Sequence, residues 1–167
     1  MNHTDMMLNV RYLDPLRDGE LIISFYKSLS RQSIRSRFMC VINDVEDCVK
    51  SLLSLRPIIY GAYQDNELIA VGEAYGINNA YEVALVVKDE YQGKGIGKWL
   101  VGLMLSDLFN RRGAVRVYAY MSLDNIKMVK ISKHYGGKVL FNGDSYKVIF
   151  DSVNLRLKGI QQLSNTA

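Results

Sequence analysis

Cysteine, histidine and proline occur only twice each in 167 residues, and tryptophan once. Two distant histidines and two cysteines without paired spacing, Cys40 and Cys48, make no metal-ligand set, so no metal is expected. Both thiols fall in a helical N-terminal region and are expected to be small buried groups. Long apolar runs are also missing: WLVGLML, residues 99–105, falls far short of the roughly 20 residues a bilayer-spanning helix needs. No basic start followed by an apolar block marks an export signal, and a cytoplasmic protein is expected. Repeats, low-complexity tracts and linkers are absent, which points to a single domain over residues 1–167.

What is present is ordinary for a globular chain: 49% hydrophobic and 23% charged residues, with a formal charge of +4. The charge is unevenly spread. Between Gln92 and Lys138 there are nine Lys or Arg against two acids, Asp107 and Asp124, which favours an anionic ligand. No helix-turn-helix, zinc-finger or stacking-aromatic pattern accompanies them, so nucleic acid is not the expected partner.

LNVRYL (residues 8–13) alternates as a strand does. Asp18 is placed to cap a helix through LIISFYKSL, and two further helical segments cover residues 28–38 and 44–55 before Pro57 breaks the pattern. IIYGAYQ, the turn DNE and LIAVGEAYG make a hairpin, and YEVALVV is a continuous apolar run suited to a buried strand. A helix over residues 96–113 stops at Gly113; VRVYAYM is a strand; a helix starts at Asp124 or Asn125 and ends at Gly136-Gly137. KVLF and SYKVIFDSVNLRL close the chain as a hairpin. This order reads as an α+β domain around one mixed sheet of about seven strands with about four helices.

YQGKGIGKWL sets Gly93, Gly95 and Gly97 between a strand and a helix. The start of a helix exposes about four unpaired N–H groups and roughly half a positive charge. Bare glycines let an anion reach those donors, with Lys94 and Lys98 at the rim, so the stretch reads as a phosphate cradle, most naturally for a pyrophosphate. Trp99 follows Lys98 where a Walker loop needs Ser or Thr, and Lys98 stands where a dinucleotide fingerprint needs its third glycine.

The surviving pattern, Gln92-Gly93-Lys94-Gly95-Ile96-Gly97, resembles the acetyl-CoA signature Q/R-x-x-G-x-G/A of the GNAT N-acetyltransferase superfamily. The resemblance covers the C-terminal two thirds of the chain. Asn125 in LDNIKMVKISKHYGG matches the asparagine of that family's N-x-x-M/A-x-x-L motif. YEVALVVKDEYQGKGIG, YMSLDNIKMVKISKHYGG and the S-x-x-S-x-x-x-R-F pattern within residues 28–38 look most like the Pat-type protein lysine acetyltransferases of bacteria and archaea. The resemblance implies the GNAT fold, a twisted, mostly antiparallel central sheet flanked by helices. It implies acetyl-CoA as cofactor, with the pyrophosphate on the amides of residues 92–98 and the pantetheine arm along Leu85, Val86 and Val87. It further implies Asn125 beside the cofactor.

Acyl transfer to an amine sets its own requirement. A lysine ammonium has a pKa near about 10.4, and only the neutral amine attacks a thioester. A carboxylate beside the acyl group can take the proton. Glu82, at the start of the apolar run, fits this role and matches the Pat-type catalytic glutamate; Glu73 on the preceding strand is the alternative base. A backbone N–H of residues 85–87 is the expected oxyanion donor, and direct attack without an acyl-enzyme is expected. Many GNAT enzymes carry a tyrosine as acid seven residues after the asparagine; here that position is Ser132, with Tyr135 read as core and His134 as a surface residue. The expected acceptor is a protein lysine. A small amine remains the alternative, as does a non-catalytic acyl-CoA sensor; a homodimer is compatible with either enzyme.

Overall fold

The computed structural model describes residues 7–158. Its elements run β1 (Leu8–Leu13), α1 (Gly19–Lys27), α2 (Arg31–Phe38), α3 (Val45–Ser54), β2 (Ile58–Gln64), β3 (Glu67–Ile77), β4 (Ala80–Val87), α4 (Ile96–Ser106), β5 (Arg116–Ser122), α5 (Ile126–His134), β6 (Lys138–Phe141) and β7 (Ser145–Asp151). The seven strands form one sheet in the order β1-β2-β3-β4-β5-β7-β6, antiparallel throughout except between β4 and β5. This is the α+β architecture expected, with five α-helices rather than about four. None of the described helices is long and apolar enough to cross a membrane.

Strand alternation divides the core in two. On one side of the sheet, Tyr60, Ala62, Ala70 and Ala74 meet α4, and Val117, Val148 and Phe150 pack with the same cluster. On the other, Ile59, Tyr63, Val71 and Val86 meet Ile22, Tyr26 and Ile34 of the N-terminal helices. α4 lies close against the sheet because Gly72 has no side chain: a Cβ there would collide with the Met104 sulfur.

Several local expectations are corrected. The helix after the glycine loop does not run unbroken to Gly113 but widens into a π-helical turn at Asp107–Arg111. Asp107 is buried there and accepts from the hydroxyls of Tyr12 (2.6 Å) and Tyr60 (2.7 Å) and from Arg112 Nε (2.9 Å), partners the wider turn brings within reach. Asp18 precedes α1 but gives it no side-chain cap, because its carboxylate instead takes the Asp14 N–H and the Arg17 guanidinium. Cys40 is exposed and Cys48 only half-buried, so neither is a core thiol. β7 ends at Asp151, whose carboxylate accepts the N–H groups of Val153 and Asn154 and turns the chain.

β4 departs most usefully from expectation. Its apolar run predicts a buried strand, yet only Val86 is buried. The reason is its neighbour: β4 and β5 pair over just three positions, ending at Glu82 and Tyr118. Beyond that pair the strands part, and one edge of residues 83–87 opens on a slot.

Candidate active site

The slot is part of a cavity of about 550 Å³ bounded by β4, the glycine loop, the first turn of α4, α5 and α2. Of the residues singled out from sequence, Leu85, Val86, Val87, Gln92, Gly93, Gly95, Ile96, Gly97, Lys98 and Asn125 line it. Lys94 does not line it; its ammonium sits over the Tyr91 ring, 5.4 Å from the centroid. Glu82 is also outside the lining, at the closed end of the slot where β4 still pairs with β5.

Gly93 (φ 76°) and Gly95 (φ 83°) hold left-handed backbone that disfavours other residues. A Cβ on either would meet no protein atom within 4 Å, so that space is free for a ligand. Gly95 is the N-cap of α4 and offers no side chain, so nothing of that kind caps the first-turn N–H groups. Gly97 is different. A Cβ there would make only ordinary contacts, at 3.7 Å or more, so protein packing does not demand a glycine. The buried Ile96 side chain belongs to the core, which leaves only its main chain for a ligand.

Gln92 turns out to be a structural strut. Its Nε2 donates to the Val87 carbonyl (2.8 Å) and to Ser33 Oγ (3.0 Å), tying the end of β4 to α2. Asp89 completes the joint by accepting from the Ser30 N–H, Ser30 Oγ and Ser33 Oγ at 2.6–2.9 Å. Burial opposes ionisation of Asp89, but the Ser30 and Ser33 donors outweigh it and hold the carboxyl below its ordinary pKa. Ser30 also caps α2 through the Ser33 N–H. The two serines of S-x-x-S-x-x-x-R-F thus fasten α2 to the cradle.

The arginine of that pattern explains the alternative base. Glu73 is 2% exposed and accepts from Tyr26 Oη (2.5 Å) and Arg37 Nη2 (3.0 Å). Burial alone would lower the Arg37 pKa, but Tyr26 and Glu73 reverse this and keep the guanidinium firmly charged. Burial, followed by the Glu73 charge, pushes the Tyr26 hydroxyl well up. Glu73 is committed to this network and does not line the cavity. Arg37 Nε and the Tyr75 hydroxyl are buried without hydrogen-bond partners, and Tyr75 lies opposite Glu82 in the β3–β4 register. Burial and then Glu73 raise the Tyr75 pKa.

Asn125 caps α5 by accepting from the Met128 N–H. Ser132 is buried and donates to the Met128 carbonyl, while buried Tyr135 donates to the Lys98 carbonyl at 2.7 Å. His134 is exposed and stacks edge-on against Tyr135. Sequence reading missed Gln32, Ser36, Lys127 and Lys130 as lining residues. The two lysines had a signal in the basic stretch, whereas the α2 residues become neighbours only through the fold. Among the described residues no three His, Cys, Asp or Glu side chains cluster as a metal site.

The acetyltransferase (GNAT) family model matches residues 23–136. No curated protein sequence matches significantly. Among solved structures, the GNAT domain of S. lividans PAT is similar with a TM-score of 0.73 at 24% identity, covering 86% of this chain and 90% of that one. The spermidine N-acetyltransferase of Vibrio cholerae, in complex with CoA and spermine, gives 0.70 at 18% identity over 88% and 96% of the two chains. The PaiA N-acetyltransferase of Thermoplasma acidophilum, in complex with coenzyme A, gives 0.67 at 22% over 87% and 99%.

Proposed function

The chain belongs to the acetyltransferase (GNAT) family, and on that premise we propose that it transfers an acetyl group from acetyl-CoA to a lysine side chain of a protein, with Glu82 as general base. The observation that carries this reading is the parting of β4 from β5 just beyond Glu82 and Tyr118, next to an uncapped helix start. Together these features fit a long ligand with a diphosphate at one end and a reactive group at the other.

Bound in this slot, acetyl-CoA supplies a thioester, an acyl group activated towards an amine. The chain's own residues do the rest. The N–H groups of residues 93–98 meet the diphosphate, and Lys98, Lys127 and Lys130 at the cavity balance its charge. Leu85, Val86 and Val87 offer a strand edge without a β5 partner along which an extended amide-bearing arm would hydrogen-bond, and a main-chain N–H of this edge would be the donor to the thioester oxygen. Glu82 takes the proton from the attacking amine. With Glu73 already bonded to Tyr26 and Arg37, Glu82 is the carboxylate of the pair that has no partner among the described residues.

A protein lysine is preferred to a small amine because the Pat-type S-x-x-S-x-x-x-R-F residues build the wall of the site: Ser30 and Ser33 anchor α2, and Arg37 lines the cavity. Ser132, where many GNAT enzymes have a tyrosine acid, is buried and bonded to the Met128 carbonyl, which agrees with that assignment. Incubation with radiolabelled acetyl-CoA and either cell-lysate protein or a panel of small amines tests the reading. Label is expected in protein lysines. Label confined to small amines overturns the acceptor assignment, and label in neither, with coenzyme binding intact, overturns catalysis.

A further inference from the structure

The acceptor must reach the thioester from the side of the sheet that Glu82 faces, because Val83, Leu85 and Val87 pack into the α4 side. On the Glu82 side, the N-terminal helix cluster includes residues of β2, β3 and β4 but none of β5, β6 or β7. Among the described residues no helix of this cluster covers the outer three strands, which continue the sheet as a platform. Register defines its rows. Tyr75, Glu82, Tyr118, Ile149 and Lys138 stand side by side across five strands, and the next row is Tyr120, Lys147 and Leu140. Tyr118 and Tyr120 meet edge-to-face, with centroids 6.1 Å apart.

The platform carries a cation. Lys147 Nζ lies 5.1 Å from the Tyr118 centroid and 5.6 Å from that of Tyr120. Among the described residues it has no carboxylate partner. Arg116 and Lys138 share this face by register, opposite Asp151 and Ile149. Two acids of the outer strands and their neighbour share the face: Asp151, at the far end of β7 opposite Arg116 and accepting the Val153 and Asn154 N–H groups, and Glu82. Asp124 and Asp144 belong to the loops beyond Ser122 and Ser145, and Asp124 accepts from the Ser122 hydroxyl. An amine arriving beside Glu82 thus meets an aromatic floor already holding a positive charge. An acceptor with several ammonium groups is repelled there, whereas one with carboxylates next to its amine is drawn in.

Resting on the acetyl-transfer reading above, we propose that Lys147, seated over Tyr120 and over Tyr118, the register neighbour of Glu82, selects acceptor lysines flanked by Asp or Glu in a protein and excludes polyamines. The tyrosine pair is essential to this selection, because ring faces hold the ammonium in place where a free surface lysine would swing clear.

Three acceptors test it with the full chain and acetyl-CoA: a peptide with one lysine between acidic residues, the same peptide with basic flanks, and spermidine. The acidic peptide is expected to exceed the other two in kcat/KM by about tenfold or more at low salt, with the margin shrinking as salt is added. Lys147→Glu should reverse the order, and Lys147→Met, which keeps the stem on the rings, should flatten it. Spermidine equal to or better than the acidic peptide in the unaltered chain overturns the proposal, as does a preference that Lys147→Glu leaves unchanged. Absence of turnover with every acceptor would sink the transfer reading instead. Calorimetric binding of the two peptides to the coenzyme A-loaded chain then decides the charge preference: tighter binding of the acidic peptide, lost in Lys147→Glu, supports it, and equal binding refutes it.

Discussion

Arg37 holds Glu73 through an Nη2–Oε2 contact of 3.0 Å, with 8% and 3% of the two side chains exposed. That pairing divides the labour between two carboxylates on adjacent strands. Glu73 fastens α2 to the sheet, and the proposed function gives the acceptor to Glu82.

The division predicts opposite phenotypes. Arg37→Ala leaves a buried carboxylate with its guanidinium partner gone and should cost about 3–5 kcal/mol of stability. Chemical denaturation reads this directly. A loss under 1 kcal/mol would mean that Glu73 is solvated or protonated without Arg37.

Glu82→Gln should leave the melting temperature and coenzyme affinity nearly unchanged while lowering kcat by about 10²–10⁴-fold, the range for removal of a positioned base. Glu73→Gln should do the reverse, lowering stability more than kcat measured on the folded fraction. Unchanged turnover in Glu82→Gln would remove Glu82 as base.

The glycines of the cradle should separate in the same way. Gly95→Val forces a β-branched residue to φ 83° and should cost about 1–2 kcal/mol of stability as well as coenzyme affinity. Gly97→Ala is different: its Cβ makes only ordinary contacts, and alanine in a helix is worth about 1 kcal/mol over glycine. A raised melting temperature is expected for Gly97→Ala, with affinity held, in keeping with the G/A choice at the end of the signature. Calorimetry on both variants checks this, and a Gly95→Val protein binding coenzyme at full strength would contradict the cradle.

Acid should loosen the joint between α2 and the glycine loop. The folded-state pKa of Asp89 lies below its ordinary 3.8, so its contribution is present above that value and disappears as pH falls through the lower folded value. Asp89→Asn removes that pH dependence. The expected result is a flatter acid limb of the stability curve for the variant; superimposable limbs would assign the acid sensitivity to another carboxylate.

Much of this is legible in the sequence. β1, β2 and β6 fall where alternation and turn residues put them, and Asn125 caps α5 as its position before an apolar helical run suggests. The glycine loop could be read because a left-handed backbone and an open helix start are local properties. What could not be read was anything that depends on who lies alongside. YEVALVV looks like a buried strand, and its exposure follows from β5 parting company after three pairs. Gln92 lines the cavity, but that its amide also ties Val87 to Ser33, a residue 59 positions away, is invisible in the sequence.

By itself, then, the sequence determined most of the elements, the glycine bend with its open helix start and the family, because each rests on interactions within a few residues. Only the tertiary structure decided which glutamate is paired with an arginine, where the slot opens and which lysine sits over the tyrosines of β5. Those outcomes depend on strand register and on the packing of α2 against the sheet, and both are set by contacts between residues far apart in the chain.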